Sequence, residues 1–173
     1  MDDWGAGSNM SDYLIVPASV RHIRPMSMRM RAAASRALDG YGFNPREGLR
    51  RAFISSFHCR TALIDGKPVA MWGVAGTLLN DSATVWLVLS DEVRRIPRAI
   101  AKEAKAELQR YVQNCPEISA TVLPDDEASI RFALHLGFRG DNDQDDVMTD
   151  PKYRVPLGDR YAIRLTYHPV EVR

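Results

Sequence analysis

Apolar and polar positions alternate along this chain with two different periods, and their order predicts a mixed α/β fold. Continuous apolar runs at residues 83–89 and 118–123 have the length and β-branched content of buried strands. One helical pattern, from residue 97 to about residue 112, separates them. Because neighbouring parallel strands need a crossover connection of this kind, we expect the two runs to pair in parallel within one sheet.

The remaining pattern adds strands and helices around these two runs. It predicts a strand at residues 13–16, helices at residues 20–38 and 45–57, strands at residues 62–64 and 69–74, and an edge or half-buried strand at residues 160–167. Pro25 lies early in the first helical pattern, so that helix begins either near residue 20 or at Pro25 itself. Asp65 and Gly66 stand between the two short strands and predict a tight hairpin.

Residues 118–138 hold the strongest local signals in the chain. Pro124 ends the predicted strand because it cannot donate a hydrogen bond to a neighbouring strand, and Asp126 suits the N-cap of a following helix. The helix ends at Gly137, a usual C-terminal signal, and we expect Phe138 to fold back onto the core. The predicted buried face of this helix consists of Ile130, Ala133, Leu134 and Gly137.

Length and composition fit a single globular domain. The chain has 173 residues, of which 45% are apolar and 26% charged, and its formal net charge is +1. We expect residues 1–11 to form an N-terminal arm and residues 12–173 to form the domain. No apolar run is long enough to span a membrane, and the first residues lack the apolar core of a signal peptide. We therefore expect no membrane span, and folding in a cytoplasm.

Charge is distributed unevenly along the chain. Residues 13–60 contain nine arginines, no lysine and two acidic residues, whereas residues 141–150 contain five aspartates. Such asymmetry indicates an anionic partner, charge-matched subunits or simply a solvated surface. The near-neutral net charge and the few aromatic residues among the arginines disfavour a nucleic-acid binder.

The chain resembles the GCN5-related N-acetyltransferase superfamily. Leu136-Gly137-Phe138 match the end of that family's fourth helix, and Asp126 stands where its members often have an asparagine. The order of predicted elements matches the superfamily over about residues 12–167, which implies a mixed central sheet flanked by helices. The nearest resemblance is to acetyltransferase-like proteins of tailed phages, some of them internal virion proteins, through the patterns at residues 29–36 and 65–74.

This resemblance implies an acyl-CoA pyrophosphate site at the start of the helix after the central strand. The family pattern there is Q/R-x-x-G-x-G/A, in which glycine lets bare backbone N–H groups approach the anion. Arg94 and Ala99 agree with the pattern, and Arg95 and Arg98 add positive charge. Pro97 occupies the glycine position, where it removes one N–H donor. We therefore expect weak or absent acetyl-CoA binding and no other cofactor.

The residues that the resemblance implies for catalysis are largely missing. Many family members place a tyrosine on the fourth helix as general acid, and the matching residue here is Ala133. His135 does not replace it, since residues two apart on a helix face nearly opposite ways. Asp91 and Glu92, just after the central strand, are the candidate general bases, although the pattern favours turn carboxylates without a catalytic role. The sequence contains no metal-binding spacing.

Two functions from different classes remain. The first is a virion or assembly protein that keeps the acetyltransferase-like fold with its acyl-CoA chemistry degraded; the alternative is an active acetyl-CoA-dependent N-acetyltransferase. Pro97 and Ala133 favour the assembly role, in which other subunits of a phage particle, or further copies of the chain, are the partners. The protein would then move from the host cytoplasm into the virion. An arm that carries Trp4 among small residues suits docking on a neighbour.

Overall fold

The computed structural model describes residues 12–76, 81–142 and 144–169. Five helices and eight strands lie in this part of the chain. The helices are α1 (Val20–Ser27), α2 (Ala32–Gly40), α3 (Pro45–Ile54), α4 (Pro97–Tyr111) and α5 (Glu127–Leu136). The strands are β1 (Tyr13–Pro17), β2 (Ser56–Ile64), β3 (Lys67–Gly76), β4 (Ser82–Leu89), β5 (Glu117–Val122), β6 (Phe138–Arg139), β7 (Arg154–Leu157) and β8 (Arg160–Tyr167). The predicted arm at residues 1–11 lies outside the described residues.

One mixed sheet contains all eight strands, in the order β1-β2-β3-β4-β5-β8-β6, with β7 also paired to β8. Strands β1 to β4 are antiparallel neighbours, and β4 pairs with β5 in parallel. The predicted parallel pairing of the two apolar runs is therefore confirmed, as is the hairpin at Asp65 and Gly66, where both residues have positive φ.

The helices cover both faces of this sheet. Met71 and Val88 pack with Ile23, Met26 and Leu49 of α1 and α3. The neighbouring positions Trp72 and Leu87 point the other way and pack with Ile96 and Ile100 at the start of α4. Because successive residues of a strand face opposite sides, α1 and α3 lie on one face and α4 on the other. The predicted mixed sheet flanked by helices is confirmed.

The single helix predicted at residues 20–38 is wrong, since the structure has two helices there. Helix α1 begins at Val20, where Ser19 and His22 form a capping box, so Pro25 lies inside it and does not start it. Met30 then forms a β-bridge with Ser90, and the Arg31 N–H donates to the Leu89 carbonyl over 2.9 Å. This backbone contact with the end of β4 interrupts the helix.

The end of one further helix differs from the prediction. Helix α3 ends at Ile54, because Ser56 already begins β2, so Phe57 is a strand residue. Strand β8 has the predicted bounds; it is paired on both of its sides and half of its residues are buried, so of the two alternatives it is a half-buried strand and not an edge strand. Its partners β6 and β7 have two and four residues, too few to give a recognisable period.

The segment around α5 follows its sequence signals closely. The Asp126 side chain caps α5 by accepting from the Ser129 N–H, and Gly137 ends the helix with a φ of +107°. Phe138 is buried against the core, as predicted. Leu134 is exposed, contrary to prediction, whereas Ala133 is buried. Among the described residues, no helix is long and apolar enough to cross a membrane.

We expect Gly137→Ala to destabilise the protein by about 1 kcal/mol more than Gly66→Ala. Both glycines have positive φ, which a side chain tolerates poorly, at roughly 1–2 kcal/mol per residue. A Cβ at Gly66 would meet no atom within 4 Å, whereas one at Gly137 would lie 3.0 Å from the His168 carbonyl oxygen. Urea unfolding measures both changes. Equal losses would mean that the Gly137 contact is relieved at no cost in free energy.

Candidate functional site

Strands β4 and β5 pair only at their beginnings and then diverge. Three pairs join them, Ser82 with Glu117, Ala83 with Ile118 and Thr84 with Ser119, while β4 runs on to Leu89 and β5 to Val122. A cavity of about 210 Å³ opens in the gap. We call it the β4–β5 cleft. Ala34 and Ala37 of α2 line it from one face of the sheet, and Ala104 of α4 and Phe132 of α5 line it from the other.

The N-terminus of α4 follows the end of β4 after a 3₁₀ turn at Asp91–Arg95. Pro97 is the first residue of the helix, and Ile96, at the N-cap, offers no side-chain hydrogen bond. The first-turn N–H groups of Arg98 and Ala99 are therefore not capped by any side chain at this position. Uncapped N–H groups at the positive end of a helix form a binding site for an anion.

The three arginines predicted for this site surround the start of α4 on its solvent side. Arg94 is 79% exposed and lies 3.5 Å from the Asp91 carboxylate, and Arg95 lies 3.4 Å from Asp65 in the β2–β3 turn. Arg98 is exposed and has no ion pair within the described part of the chain. Exposed ion pairs of this kind are weak, so all three cations can turn toward a bound anion.

The two candidate bases, Asp91 and Glu92, are not among the residues that line the β4–β5 cleft. Glu92 accepts a hydrogen bond from Arg29 over 2.9 Å, and Asp91 lies 3.8 Å from the Arg31 guanidinium. Both carboxylates thus fix the junction of α1 and α2 to the turn after β4. Their placement favours a structural contact over proton transfer.

Ala133 lies on the cleft wall, with 7% of its surface exposed. It contributes a methyl group at the position where the resemblance implies a tyrosine. His135 is exposed on the other side of α5, in agreement with the helical argument that it does not replace Ala133. The α5 wall of the cleft is consequently apolar at this point.

A buried carboxylate on α4, Glu107, also lines the cleft and was missed by the sequence analysis. Glu107 is only 2% exposed. One of its oxygens accepts from the Trp72 indole N–H over 2.7 Å and from the Tyr111 hydroxyl over 3.3 Å. The other lies 3.3 Å from His58 Nε2 and 3.6 Å from Arg60 Nε.

This cluster places a carboxylate, paired with Arg60, inside a largely apolar wall. Burial, and after it the Glu107 carboxylate, raises the pKa of Tyr111 well above its ordinary value, so the phenol stays protonated and donates. The available signal was position: residues 100, 104, 107 and 108 share one face of a helix, which places Glu107 inward among apolar residues. Because other acidic and basic residues surround Glu107 on α4, this spacing is not distinctive in the sequence.

No group of His, Cys, Asp and Glu side chains in the described residues could hold a metal ion.

No protein-family model and no curated protein sequence matches this chain. Solved structures do match it. The ribosomal-protein-S18-alanine N-acetyltransferase of Escherichia coli superposes with a TM-score of 0.61 at 15% identity, over 94% of this chain and 97% of that one. An acetyltransferase of the GNAT family from Bacillus anthracis gives a TM-score of 0.59 at 14% identity, over 90% of this chain and 92% of that one.

A third match is the PaiA N-acetyltransferase of Thermoplasma acidophilum, solved in complex with coenzyme A. It gives a TM-score of 0.56 at 14% identity, over 90% of this chain and 99% of that one. These similarities extend over nearly the whole chain, including the mixed sheet and the helices on both of its faces. The chain therefore has the fold of the GCN5-related N-acetyltransferases.

Proposed function

We propose that this protein binds an acyl-CoA thioester in the β4–β5 cleft and transfers the acyl group to an amine. The observation that carries the proposal is the divergence of β4 and β5 into an apolar cleft beside an uncapped helix N-terminus. The two features match the two ends of such a ligand: a pyrophosphate at one end and a thioester on a flexible amide-containing arm at the other.

The residues at the start of α4 suit the pyrophosphate. The N–H groups of Arg98 and Ala99 can donate to phosphate oxygens, and the nearby arginines add charge. Pro97 removes one donor from this set, which lowers the affinity without closing the site. In the described part of the chain, β4 has no strand partner on its cleft side between Val85 and Val88, so backbone groups there can pair with an amide-bearing arm.

The chain contributes to transfer mainly by positioning. A bound acyl-CoA supplies an activated acyl group, and the cleft walls hold it at one place and exclude water. Because the cavity reaches both faces of the sheet, the amine can approach from the α2 side while the arm occupies the gap. Ala133 donates no proton to the departing thiolate, so we expect transfer to be slow relative to binding.

We expect calorimetry on the purified full-length protein to detect binding of coenzyme A that weakens as the salt concentration rises. Pro97→Gly should tighten it by about tenfold, because a regained hydrogen bond to a charged group contributes roughly 1.5 kcal/mol or more. Pro45→Gly is the matched control, since Pro45 also stands at the start of a helix, α3, away from the cleft. The proposal fails if neither the natural protein nor Pro97→Gly binds coenzyme A.

The predicted role in a phage particle stays a prediction. It depended partly on pairing between the arginine-rich helices of one copy and the aspartate-rich loop of another. Many of these charges have partners within the chain: Arg29, Arg31 and Arg36 pair with Glu92, Asp91 and Asp125, and Lys152 pairs with Asp145 and Asp150. What remains for an assembly role is the arm with Trp4, together with exposed cations such as Arg21 and Arg24.

If the chain does assemble through its arm, removal of residues 1–9 should leave a folded protein that no longer enters the assembly. The reason is that the sheet and its helices are built from residues 13 onward. Sedimentation compares the assembly state of the two forms, and circular dichroism confirms folding. Trp4→Ala is the narrower variant. Normal assembly of the truncated form, or a full-length protein that stays monomeric with every candidate partner, excludes this role.

A further inference from the structure

The part of the β4–β5 cleft behind the sheet forms a pocket between α4 and α5. Its walls are Ala104 and Leu108 of α4, Phe132 and Ala133 of α5, and Val85 of β4. All five side chains are apolar, and two of them, Ala104 and Ala133, are small enough to leave room between the helices. We call this space the α4–α5 pocket. It is continuous with the gap between the two strands, because residues of both belong to one cavity.

The direction of a bound thioester follows from the two ends of the cleft. Its anionic end belongs at the start of α4, near the open ends of the strands. The strands close again at Thr84 and Ser119, so the far end of the arm lies near that closure. Val85 is the first residue of β4 beyond this closure without a strand partner on the cleft side, and its side chain packs on the α4–α5 face. An acyl group attached to the arm therefore lies next to the α4–α5 pocket.

Glu107 places a carboxylate on the wall of this pocket. Both of its oxygens already have partners, Trp72 and Tyr111 on one and His58 and Arg60 on the other, so an apolar chain can contact it without removing a hydrogen bond. A second carboxylate would lie beside the Glu107 carboxylate in a buried site of low dielectric constant, where like charges repel strongly. Arg60 lies 3.6 Å from Glu107 but does not line the cleft, so its guanidinium already pairs with Glu107 and is not placed to receive an acyl carboxylate.

We infer that the α4–α5 pocket selects neutral acyl groups longer than acetyl and rejects acyl groups that end in a carboxylate. The inference rests on the proposed binding of acyl-CoA and adds the class of acyl group to it. The apolar walls stabilise each additional methylene, and the Glu107 carboxylate excludes dicarboxylic acyl groups of the same length.

Calorimetry with four ligands on the full-length protein tests this directly: free coenzyme A, acetyl-CoA, butyryl-CoA and succinyl-CoA. Butyryl and succinyl groups have the same number of carbons and differ at the end, a methyl group against a carboxylate. We expect butyryl-CoA to bind about 15-fold more tightly than acetyl-CoA, at roughly fourfold per buried methylene. Succinyl-CoA should bind at least about tenfold more weakly than butyryl-CoA, since one buried repulsion exceeds roughly 1.4 kcal/mol.

Variants test whether the α4–α5 pocket, and not another part of the β4–β5 cleft, holds the acyl chain. Ala133→Leu and Ala104→Leu each fill the pocket from a different helix and should remove the advantage of butyryl-CoA over acetyl-CoA. Ala106→Leu is the control, because Ala106 lies on the same helix as Ala104 but does not line the cleft. Glu107→Gln keeps the size of the side chain and an acceptor for Trp72. It should bring succinyl-CoA to within about threefold of butyryl-CoA by removing the charge repulsion.

The outcomes distinguish failure of the proposed function from failure of the α4–α5 pocket to select the acyl group. If free coenzyme A does not bind, the proposed function fails and this inference fails with it. If coenzyme A binds but acetyl-CoA and butyryl-CoA bind equally, the α4–α5 pocket does not hold the acyl chain, while the proposed function stands. If butyryl-CoA and succinyl-CoA bind equally, or if Ala106→Leu acts like Ala104→Leu, the assignment to these residues is overturned.

Discussion

The short parallel pairing of β4 with β5 is the constraint on which the rest of the structure depends. Three residue pairs hold the two strands together, and helix α4 makes the crossover between them. Full pairing would close the sheet and leave no cleft, whereas no pairing would separate the two halves of the molecule. The cleft also determines where the charged and apolar ends of a ligand can lie, because the strands open toward the start of α4.

Local signals in the sequence were sufficient wherever one residue type decides a conformation. Asp126 caps α5 and Gly137 ends it with a positive φ, both as predicted, because few other residues serve in those positions. The parallel strands were predictable for a similar reason: two continuous apolar runs joined by one helix leave few topologies. In these places, the sequence pattern and the packing require the same structure.

Contacts between segments that are distant along the chain explain the features that the sequence pattern did not predict. The break before α2 arises from a hydrogen bond between Arg31 and Leu89, residues far apart along the chain. Strand β6 exists only because Phe138 and Arg139 lie beside β8. Glu107 is a partial exception: its spacing places it on the inward face of α4, but its partner Trp72, which makes burial of a carboxylate possible, lies on β3. The other two features depend on the assembled sheet, so they have no local period.

The charge pattern of the sequence likewise does not predict which charged residues are paired in the fold. Contact with a charge-matched copy is one of the alternatives for the aspartate-rich loop, yet Lys152 and Tyr153 contact Asp145 in that loop. Hydrogen bonds, first from Lys152 and then from Tyr153, lower the pKa of Asp145 to about 2. The ionised form of Asp145 therefore favours folding above its unfolded pKa, near 3.8, and this contribution is lost as the pH falls toward 2. Charge asymmetry in a sequence thus predicts which residue types a surface contains, but not which of its charges are already paired within the chain.

Pro97 and Ala133 depart from the acetyltransferase pattern in different physical ways, and their consequences need not coincide. In the proposed site, Pro97 leaves one N–H donor fewer at the anion end and so acts on affinity. In the same proposed site, Ala133 carries no hydroxyl at the thioester end, and its small side chain leaves space between α4 and α5. A ligand that fills this space removes its apolar walls from water, which favours binding even where transfer is slow.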